Sequence, residues 1–119
     1  LYFDCKLLTI MENFKFTHEF DFKHIFINDL NEKSAIYSFW FKNLNLPLYI
    51  GKTENLRRRM KEYFSGGHNE DLDQYLNKKK RREFIKVKYI FCPENKLKDT
   101  EDRYIFFFNP KLNKDKIRK

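Results

Sequence analysis

The sequence predicts a small α+β domain in which a three-stranded antiparallel sheet is flanked by helices. Two short apolar runs, at residues 34–41 and 48–51, are separated by a polar loop, which is typical of a β-hairpin. A third run, at residues 83–91, alternates well enough to form another strand, whereas residues 55–64 repeat their apolar side chains at helical spacing. A chain of 119 residues, 41% of them hydrophobic, can bury one ordinary core, so we expect one folded domain.

The N-terminal segment, residues 1–33, adds an aromatic, β-rich extension to this domain. Its period of two predicts a half-buried strand, either continuous or broken into a hairpin near residues 19–22. We expect His18 and His24 to be hydrogen-bonded at the edge of the core, since no acidic or Cys partner for catalysis or metal binding stands beside them. Residues 1–10 are compatible with a vector-derived origin. The alternating positions are Phe14, Phe16, His18, Phe20, Phe22, His24 and Phe26.

Each strand of the predicted hairpin carries a tyrosine. Tyr37 and Tyr49 can lie near one another on the same face of an antiparallel pair. Taken alone, two such residues are more often packing residues than functional ones. Gly51 allows the backbone to turn or to approach a ligand closely, and a basic helix follows it directly. A corner of this kind would suit phosphate chemistry.

The helix at residues 55–64 is amphipathic and carries three consecutive arginines. Arg58 points away from the apolar stripe, whereas Arg57 and Arg59 flank it on opposite sides, and periodicity does not choose between those two. Arg59 stands one turn before Tyr63, so a guanidinium and a phenol would project together. The alternative is a solvated basic face. The stripe consists of Leu56, Met60, Tyr63 and Phe64.

Positive charge is concentrated in the second part of the chain. Residues 1–34 hold four basic and six acidic side chains, which leaves 21 basic and 11 acidic side chains, a net charge of +10, in residues 35–119. Such a surface suits a polyanion, most commonly nucleic acid. A block of five cations would attract phosphates without reading base sequence, although a solvated helix end explains it equally well. The block consists of Lys78, Lys79, Lys80, Arg81 and Arg82.

Several classes of protein are disfavoured. No apolar run is long enough to span a bilayer, and the first ten residues lack the apolar core of a secretory signal. Cys5 and Cys92 have no further Cys or His at ligand spacing, which argues against a zinc site and favours two unpaired thiols over a disulfide. We therefore expect a cytoplasmic or otherwise intracellular protein that does not enter a membrane.

The last predicted helix places a carboxylate on its apolar stripe. At 100° per residue, Glu101 projects from the middle of that stripe, while Asp102 faces outward. A carboxylate facing a core is costly unless it is paired or bound to a cation. A salt bridge to Arg57 or Arg59 and a ligand position for Mg²⁺ are equally good explanations. The stripe consists of Leu97, Tyr104, Ile105 and Phe108.

Several separate motifs, in the right order, together resemble the GIY-YIG nuclease domain. The similarity extends over residues 34–113 and leaves 114–119 as a basic tail. Within that family it resembles the N-terminal incision domain of the excision-repair nuclease and stand-alone GIY-YIG endonucleases. The implied fold, a small three-stranded antiparallel sheet flanked by helices, agrees with the elements derived above. The motifs are Ala35-Ile36-Tyr37, Tyr49-Ile50-Gly51 with Lys52, Arg59 and Tyr63, then Glu101, and finally the run from Asn109 to Asn113.

The resemblance implies a metal-dependent endonuclease that hydrolyses phosphodiester bonds in DNA at a single-metal site. Glu101 would hold the metal, Mg²⁺ or Mn²⁺, which polarises the scissile phosphate. Tyr37 would take a proton from the attacking water, and it needs positive charge from Lys52, Arg59 or the metal because an unperturbed phenol has a pKa of about 10. The implied catalytic residues are Tyr37, Tyr49, Lys52, Arg59, Tyr63, Glu101 and Asn113.

The other implied roles concern positioning and binding. Tyr49 would position water or phosphate, Tyr63 takes the place of a His found in some members, and Asn113 would orient or brace the site. The family pattern selects Arg59 as the arginine that clamps the phosphate. Arg57 and the block at residues 78–82 are then expected to contact nucleic acid.

The sequence departs from the family pattern in two respects. Ala35 replaces the first glycine of the motif, which removes no catalytic group. No DNA-recognition domain accompanies residues 34–113, so specificity would come from the N-terminal segment, a homodimer, a partner protein or the shape of the substrate. A non-catalytic nucleic-acid-binding module of the same fold and an RNA-directed nuclease remain as alternatives.

Overall fold

The computed structural model describes residues 14–44, 46–67, 69–78 and 81–113. These residues form a four-stranded antiparallel sheet with helices on both faces. In chain order the strands are β1 (His18–Asp21), β2 (Ala35–Phe41), β3 (Pro47–Thr53) and β4 (Ile85–Phe91). The helices are α1 (His24–Ile27), α2 (Leu56–Ser65), α3 (Glu70–Asn77) and α4 (Leu97–Phe108). None of the helices in this part of the chain has the length and apolarity needed to cross a membrane.

The predicted hairpin and third strand form the centre of the sheet. Strand β2 pairs with β3 on one side and with β4 on the other, so the strand order is β1-β4-β2-β3. Six of the seven β2 residues are buried because helices cover both faces. The predicted α+β class, with an antiparallel sheet flanked by helices, is confirmed.

The N-terminal segment joins the same sheet as a fourth strand. Strand β1 pairs with β4 from His18 opposite Tyr89 to Asp21 opposite Lys86. A continuous strand through residue 26 and a hairpin near residues 19–22 were both wrong expectations. The chain turns after Asp21, whose carbonyl accepts a hydrogen bond from the Lys23 N–H (2.7 Å), and the short helix α1 begins.

The two faces of the sheet have separate cores. Helices α2 and α3 cover the face that carries the odd-numbered β2 residues, and helix α4 covers the other face. The α2 core includes Phe22, Ile27, Tyr37, Phe39, Leu56, Met60, Tyr63, Leu72, Leu76 and Val87. The α4 core consists of Ile36, Ile50, Cys92, Leu97, Tyr104 and Ile105, with Phe14 and Phe16 packed against it. Cys92 is a buried free thiol, and Cys5 lies outside the described residues.

Helix ends follow the local sequence signals. The Asn55 side chain caps α2 by accepting a hydrogen bond from the Arg58 N–H (3.0 Å), and Gly66 ends the helix at a φ of 80°. Asn69 caps α3 in the same way through the Leu72 N–H (3.2 Å). These caps fix where α2 begins and ends, and therefore which of its side chains face the sheet.

Candidate active site

The centre of the candidate site is the Tyr37 ring, which lies across Gly51. The two residues are opposite one another in the β2–β3 register, and Tyr37 is only 1% exposed. A Cβ atom on Gly51 would stand 2.4 Å from the Tyr37 hydroxyl oxygen and 2.5 Å from the ring carbon that bears it. Because Gly51 has no positive φ, glycine is required here by the close approach of a side chain rather than by backbone conformation.

The Tyr37 hydroxyl is hydrogen-bonded to the Tyr63 hydroxyl from helix α2. The two oxygens are 2.7 Å apart, and either can be the donor. Tyr63 is fully buried, and its ring meets that of Tyr37 edge-on with centroids 5.6 Å apart. The register of β2 and the stripe of α2 therefore bring two of the predicted site residues into direct contact.

Tyr49 lies on the same face of the hairpin, as the strand register predicted. Its ring centroid is 6.5 Å from that of Tyr37, and the residue is 8% exposed. Lys52 lies on the other face, because it is opposite Ile36 in the register and Ile36 packs in the α4 core. The predicted site residues therefore occupy both faces of the hairpin.

Arg59 brings positive charge to the paired phenols. Its side chain is 20% exposed, and its Nε donates a hydrogen bond to Glu62 Oε1 at 3.0 Å. Although burial disfavours the charged guanidinium, Tyr37, Tyr63 and Glu62 raise the pKa of Arg59 above its ordinary value. Of the predicted sources of positive charge, Arg59 is the one on the same face as Tyr37.

Burial dominates the ionisation of both phenols. It raises the pKa of Tyr37 far above the ordinary tyrosine value, and the neighbouring Tyr49 adds to that increase. The hydrogen bond with Tyr63 and the charge of Arg59 lower the pKa of Tyr37 only in part. Burial also raises the pKa of Tyr63, with a further increase from Tyr37. Both phenols are therefore protonated at neutral pH.

Glu101 lies on the helix that covers the opposite face of the sheet. It is 2% exposed and belongs to the buried stripe of α4, while Asp102 is exposed, as the helical period predicted. The two arginines considered as its partners contact other carboxylates. Arg57 lies 3.5 Å from Glu32, and Arg59 pairs with Glu62.

The carboxylate of Glu101 is suited to a hard divalent cation. Throughout the described ranges, no three His, Cys, Asp or Glu side chains come together as a ready-made metal site. Glu101 is nevertheless a suitable ligand position for Mg²⁺, which is commonly held by one or two protein carboxylates, keeps several waters and takes oxygen ligands from substrate phosphate.

Asn113 braces the edge of the sheet at the site. Its Oδ1 accepts a hydrogen bond from the Ile50 N–H (2.8 Å), and its Nδ2 donates one to the Ile50 carbonyl (2.9 Å). Strand β3 is an edge strand, so these backbone groups would otherwise have no strand partner. The fully buried Asn113 carboxamide satisfies both, and thereby holds the backbone between Tyr49 and Gly51.

Arg57 fastens helix α2 to the loop that precedes β2. Its Nε donates a hydrogen bond to the Leu30 carbonyl (2.7 Å), and its own N–H donates to the Asn31 carbonyl (3.3 Å). The ion pair with Glu32 completes this attachment. Sequence reasoning missed Leu30 and Glu32 as partners, since no local spacing connects them to Arg57. It also missed Glu62, which the i,i+3 spacing from Arg59 indicates.

Two cations of the predicted nucleic-acid block also have internal contacts. Arg81 donates a hydrogen bond to the Tyr75 carbonyl (2.8 Å) and lies 4.0 Å from the centroid of the Tyr75 ring. Arg82 lies 3.7 Å from the centroid of the Phe64 ring, is hydrogen-bonded to the Phe64 carbonyl and donates a hydrogen bond to Asn77 Oδ1 (2.6 Å), so it joins the end of α3 to α2. Lys78 is exposed. Lys79, Lys80, the tail at 114–119 and residues 1–10 lie outside the described residues.

The sequence matches the family model of the GIY-YIG catalytic domain over residues 33–114. The chain belongs to the GIY-YIG catalytic domain family. That range includes every residue of the candidate site, from Tyr37 to Asn113. The predicted resemblance and the predicted enzyme class, a GIY-YIG-type endonuclease, are thereby confirmed.

Similar sequences include bacterial proteins of much greater length. The UvrABC system protein C of Helicobacter pylori strain Shi470 is 43% identical over 49 residues, which cover 41% of this chain and 8% of that protein. The corresponding protein of strain J99 is 46% identical over 44 residues, 37% of this chain and 7% of that protein. The chain thus spans less than a tenth of the length of these relatives.

Solved structures share the fold. The N-terminal GIY-YIG endonuclease domain of UvrC from Thermotoga maritima, bound to its catalytic magnesium, is 25% identical, with a TM-score of 0.56 over 73% of this chain and 90% of that one. A Glu→Ala variant of EndoII from bacteriophage T4 is 20% identical, with a TM-score of 0.60 over 91% of this chain and 97% of that one. The second likeness reaches beyond residues 33–114, so the shared fold is larger than the family domain.

Proposed function

We propose that the chain is a metal-dependent endonuclease that hydrolyses phosphodiester bonds in DNA. The observation that supports this most strongly is the buried group formed by the Tyr37 hydroxyl, packed over Gly51 and hydrogen-bonded to Tyr63, with Arg59 beside it. Tyrosines in a strand are often packing residues. A pair of buried, hydrogen-bonded hydroxyl groups next to a guanidinium, however, can hold and move a proton. The net charge of +10 in residues 35–119 suits a polyanionic substrate.

Glu101 is the proposed ligand of Mg²⁺, with Mn²⁺ as a substitute. When bound, the cation would polarise the scissile phosphate and stabilise the leaving oxygen. The comparison with Thermotoga maritima UvrC supports this assignment, since that domain binds a catalytic divalent cation, and its Tyr→Phe variants also hold one. Cation binding in that domain therefore survives the loss of a tyrosine hydroxyl.

Tyr37 is the proposed general base. With Tyr63 and Arg59 donating hydrogen bonds to it, the ionised Tyr37 oxygen would accept the proton of the attacking water. Arg59 stabilises the phenolate by its charge, whereas burial raises the pKa of Tyr37 and keeps the ionised fraction small at neutral pH. The rate of cleavage should therefore rise with pH through the neutral range.

The remaining residues orient the substrate. Arg59 would clamp the scissile phosphate with its planar guanidinium, in exchange for the ion pair that it makes with Glu62. Tyr49 would position the water or the phosphate, and Lys52 would add positive charge on the α4 face of β3. Asn113 keeps the backbone of β3 in register with these groups.

Cleavage assays on four substrates test this proposal. Plasmid, linear duplex, branched DNA and structured RNA would each be incubated with Mg²⁺, Mn²⁺ or a chelator. We expect cleavage of DNA that the chelator abolishes. Glu101→Ala should remove cation binding and activity while DNA binding remains, and Tyr37→Phe should lower kcat by ~10²–10⁴-fold while cation binding remains.

The matched control is Asp102→Ala, which removes an exposed carboxylate from the same helix and should leave activity unchanged. Binding without cleavage on all four substrates would favour the non-catalytic module. Cleavage of RNA but not of DNA would favour the RNA-directed nuclease. Full activity of Glu101→Ala would make Glu101 a structural residue and overturn the proposed metal site.

A further inference from the structure

The outer face of helix α2 carries an open groove on the helix that also supplies Arg59 and Tyr63 to the candidate site. It has a volume of about 420 Å³ and is lined by both charged and polar side chains. Its lining includes Glu32, Arg57, Arg58, Lys61 and Glu62. We infer that this groove carries the phosphate backbone of the substrate strand, with Arg58 and Lys61 as its contacts. The inference rests on the proposed DNA-cleaving function and locates its DNA-binding surface.

The carboxylates of the groove already have cationic partners. Glu32 lies 3.5 Å from an Arg57 Nη atom, and Glu62 Oε1 lies 3.0 Å from Arg59 Nε. Arg58 and Lys61 are exposed, and within the part of the chain that the structure describes neither side chain forms an ion pair. In the chain without substrate, these two cations therefore give the groove its uncompensated positive charge.

The spacing of the two cations directs a bound strand toward the site. Residues three apart lie on the same face of a helix, with Cβ atoms ~5–6 Å apart. Arg59 follows Arg58 directly and turns inward, where its charge acts on the Tyr37 phenol. Phosphates held by Arg58 and Lys61 would therefore place the next phosphate of the strand within reach of Arg59.

The internal contacts of three other arginines support the assignment of Arg58 and Lys61 as the phosphate contacts. Arg57, Arg81 and Arg82 each donate side-chain hydrogen bonds to backbone carbonyls, and the last two also stack on aromatic rings. A guanidinium that is already held in this way must break those contacts to reach a phosphate. Arg58 and Lys61 need only reorient exposed side chains.

The salt dependence of DNA binding tests the inference. The full chain would bind a duplex oligonucleotide in the presence of a chelator, so that no cleavage occurs, over a range of salt concentrations. Each phosphate contact contributes ~0.9 to the slope of log K against log salt, so the double variant Arg58→Gln, Lys61→Gln should lose ~1.8. The matched control, Lys96→Gln with Lys111→Gln, removes two exposed lysines outside the groove and should leave the slope unchanged.

The possible outcomes separate this inference from the proposed function. A steep wild-type slope that the double variant retains would overturn the α2 groove while leaving DNA binding intact. An equal decrease in the control would also overturn it, because total charge would then explain binding. A wild-type chain that neither binds nor cleaves DNA would instead overturn the proposed function. The charge-conserving pair Arg58→Lys, Lys61→Arg should retain the wild-type slope, and a loss of slope in this pair would contradict a role that rests on the two positive charges.

Discussion

The two faces of the β2–β3 hairpin carry different chemistry. The α2 face holds phenols and a guanidinium, with Tyr37 hydrogen-bonded to Tyr63 beside Arg59. The α4 face holds a buried carboxylate, Glu101, in an otherwise aliphatic and aromatic core. Groups suited to proton transfer and phosphate binding thus come from one face of the hairpin, and the group suited to a cation comes from the helix on the other face. The comparison indicates that strand β3, which lies at the edge of the sheet, must align two half-sites, one from each face.

Strand β3 is well suited to aligning the two half-sites because a different contact fixes each of its faces and its free edge. On the α2 face, Gly51 offers only a hydrogen, so the Tyr37 ring can lie against the backbone. On the α4 face, Ile50 packs into the second core. Along the free edge, Asn113 holds the Ile50 backbone through two hydrogen bonds. Substitutions at these three kinds of contact should therefore affect the two half-sites differently.

Among substitutions at the contacts that fix β3, Gly51→Ala should have the largest effect on catalysis and should damage the α2 face selectively. Its Cβ would collide with the Tyr37 hydroxyl and ring, and overpacking of this kind costs ~1–3 kcal/mol of the free energy of unfolding. A displacement of about 1 Å in a catalytic group can cost ~10²-fold in rate, so we expect a decrease of that order in kcat. Calorimetric binding of Mg²⁺ at Glu101 should be retained.

Gly67→Ala is the matched control, because a Cβ there would have no atom within 4 Å and the residue has no positive φ. It should change neither the rate nor the melting temperature. Loss of Mg²⁺ binding in Gly51→Ala would show that the two faces are not independent. An unchanged rate would show that Gly51 does not hold the Tyr37 ring in its active position.

Asn113→Ala should lower catalytic activity less than Gly51→Ala does, but it should affect both faces of the hairpin. The substitution leaves the buried N–H and carbonyl of Ile50 without their partner, and each unpaired group costs ~1–3 kcal/mol. Chemical denaturation should therefore show a lower free energy of unfolding, with moderate decreases in both Mg²⁺ affinity and kcat. A decrease confined to one of these two quantities would contradict the role of β3 as a shared support.

Local patterns predicted the elements and the burial of the site residues. The helical period placed Glu101 on the buried stripe of α4, and strand pairing placed Tyr37 near Tyr49. The same alternation also indicates that Lys52 lies on the face opposite Tyr49. The family pattern names both residues but does not say which face of the strand each one occupies. Periodicity therefore carries information about the faces of the site as well as about its members.

Long-range partners could not be predicted, because no spacing in the sequence encodes them. Arg57 and Arg82 looked like phosphate ligands, but they bind the carbonyls of Leu30 and Phe64, which are distant in the chain. A break near residues 19–22 was one of the expectations, but the helix that follows it was not, since the aromatic alternation continues through the turn and into α1. Tertiary contacts determine which group an arginine binds and where a strand ends, whereas composition indicates only that the charges are present.

The smallest expected effect is on the free energy of unfolding at alkaline pH, and it reports on the phenols of the α2 face. Burial raises the pKa of Tyr37 and Tyr63 above the ordinary value of about 10, so the folded chain keeps these protons while the unfolded chain releases them. Their contribution to stability is therefore complete below pH ~10 and decreases as the pH rises above it, by up to ~1.4 kcal/mol per pH unit for each phenol. Denaturant unfolding of wild type and Tyr63→Phe across this range should give a shallower decrease for the variant. Tyr89 and Tyr104, whose pKa values burial also raises, contribute equally to both proteins, so identical slopes would contradict the buried phenol pair.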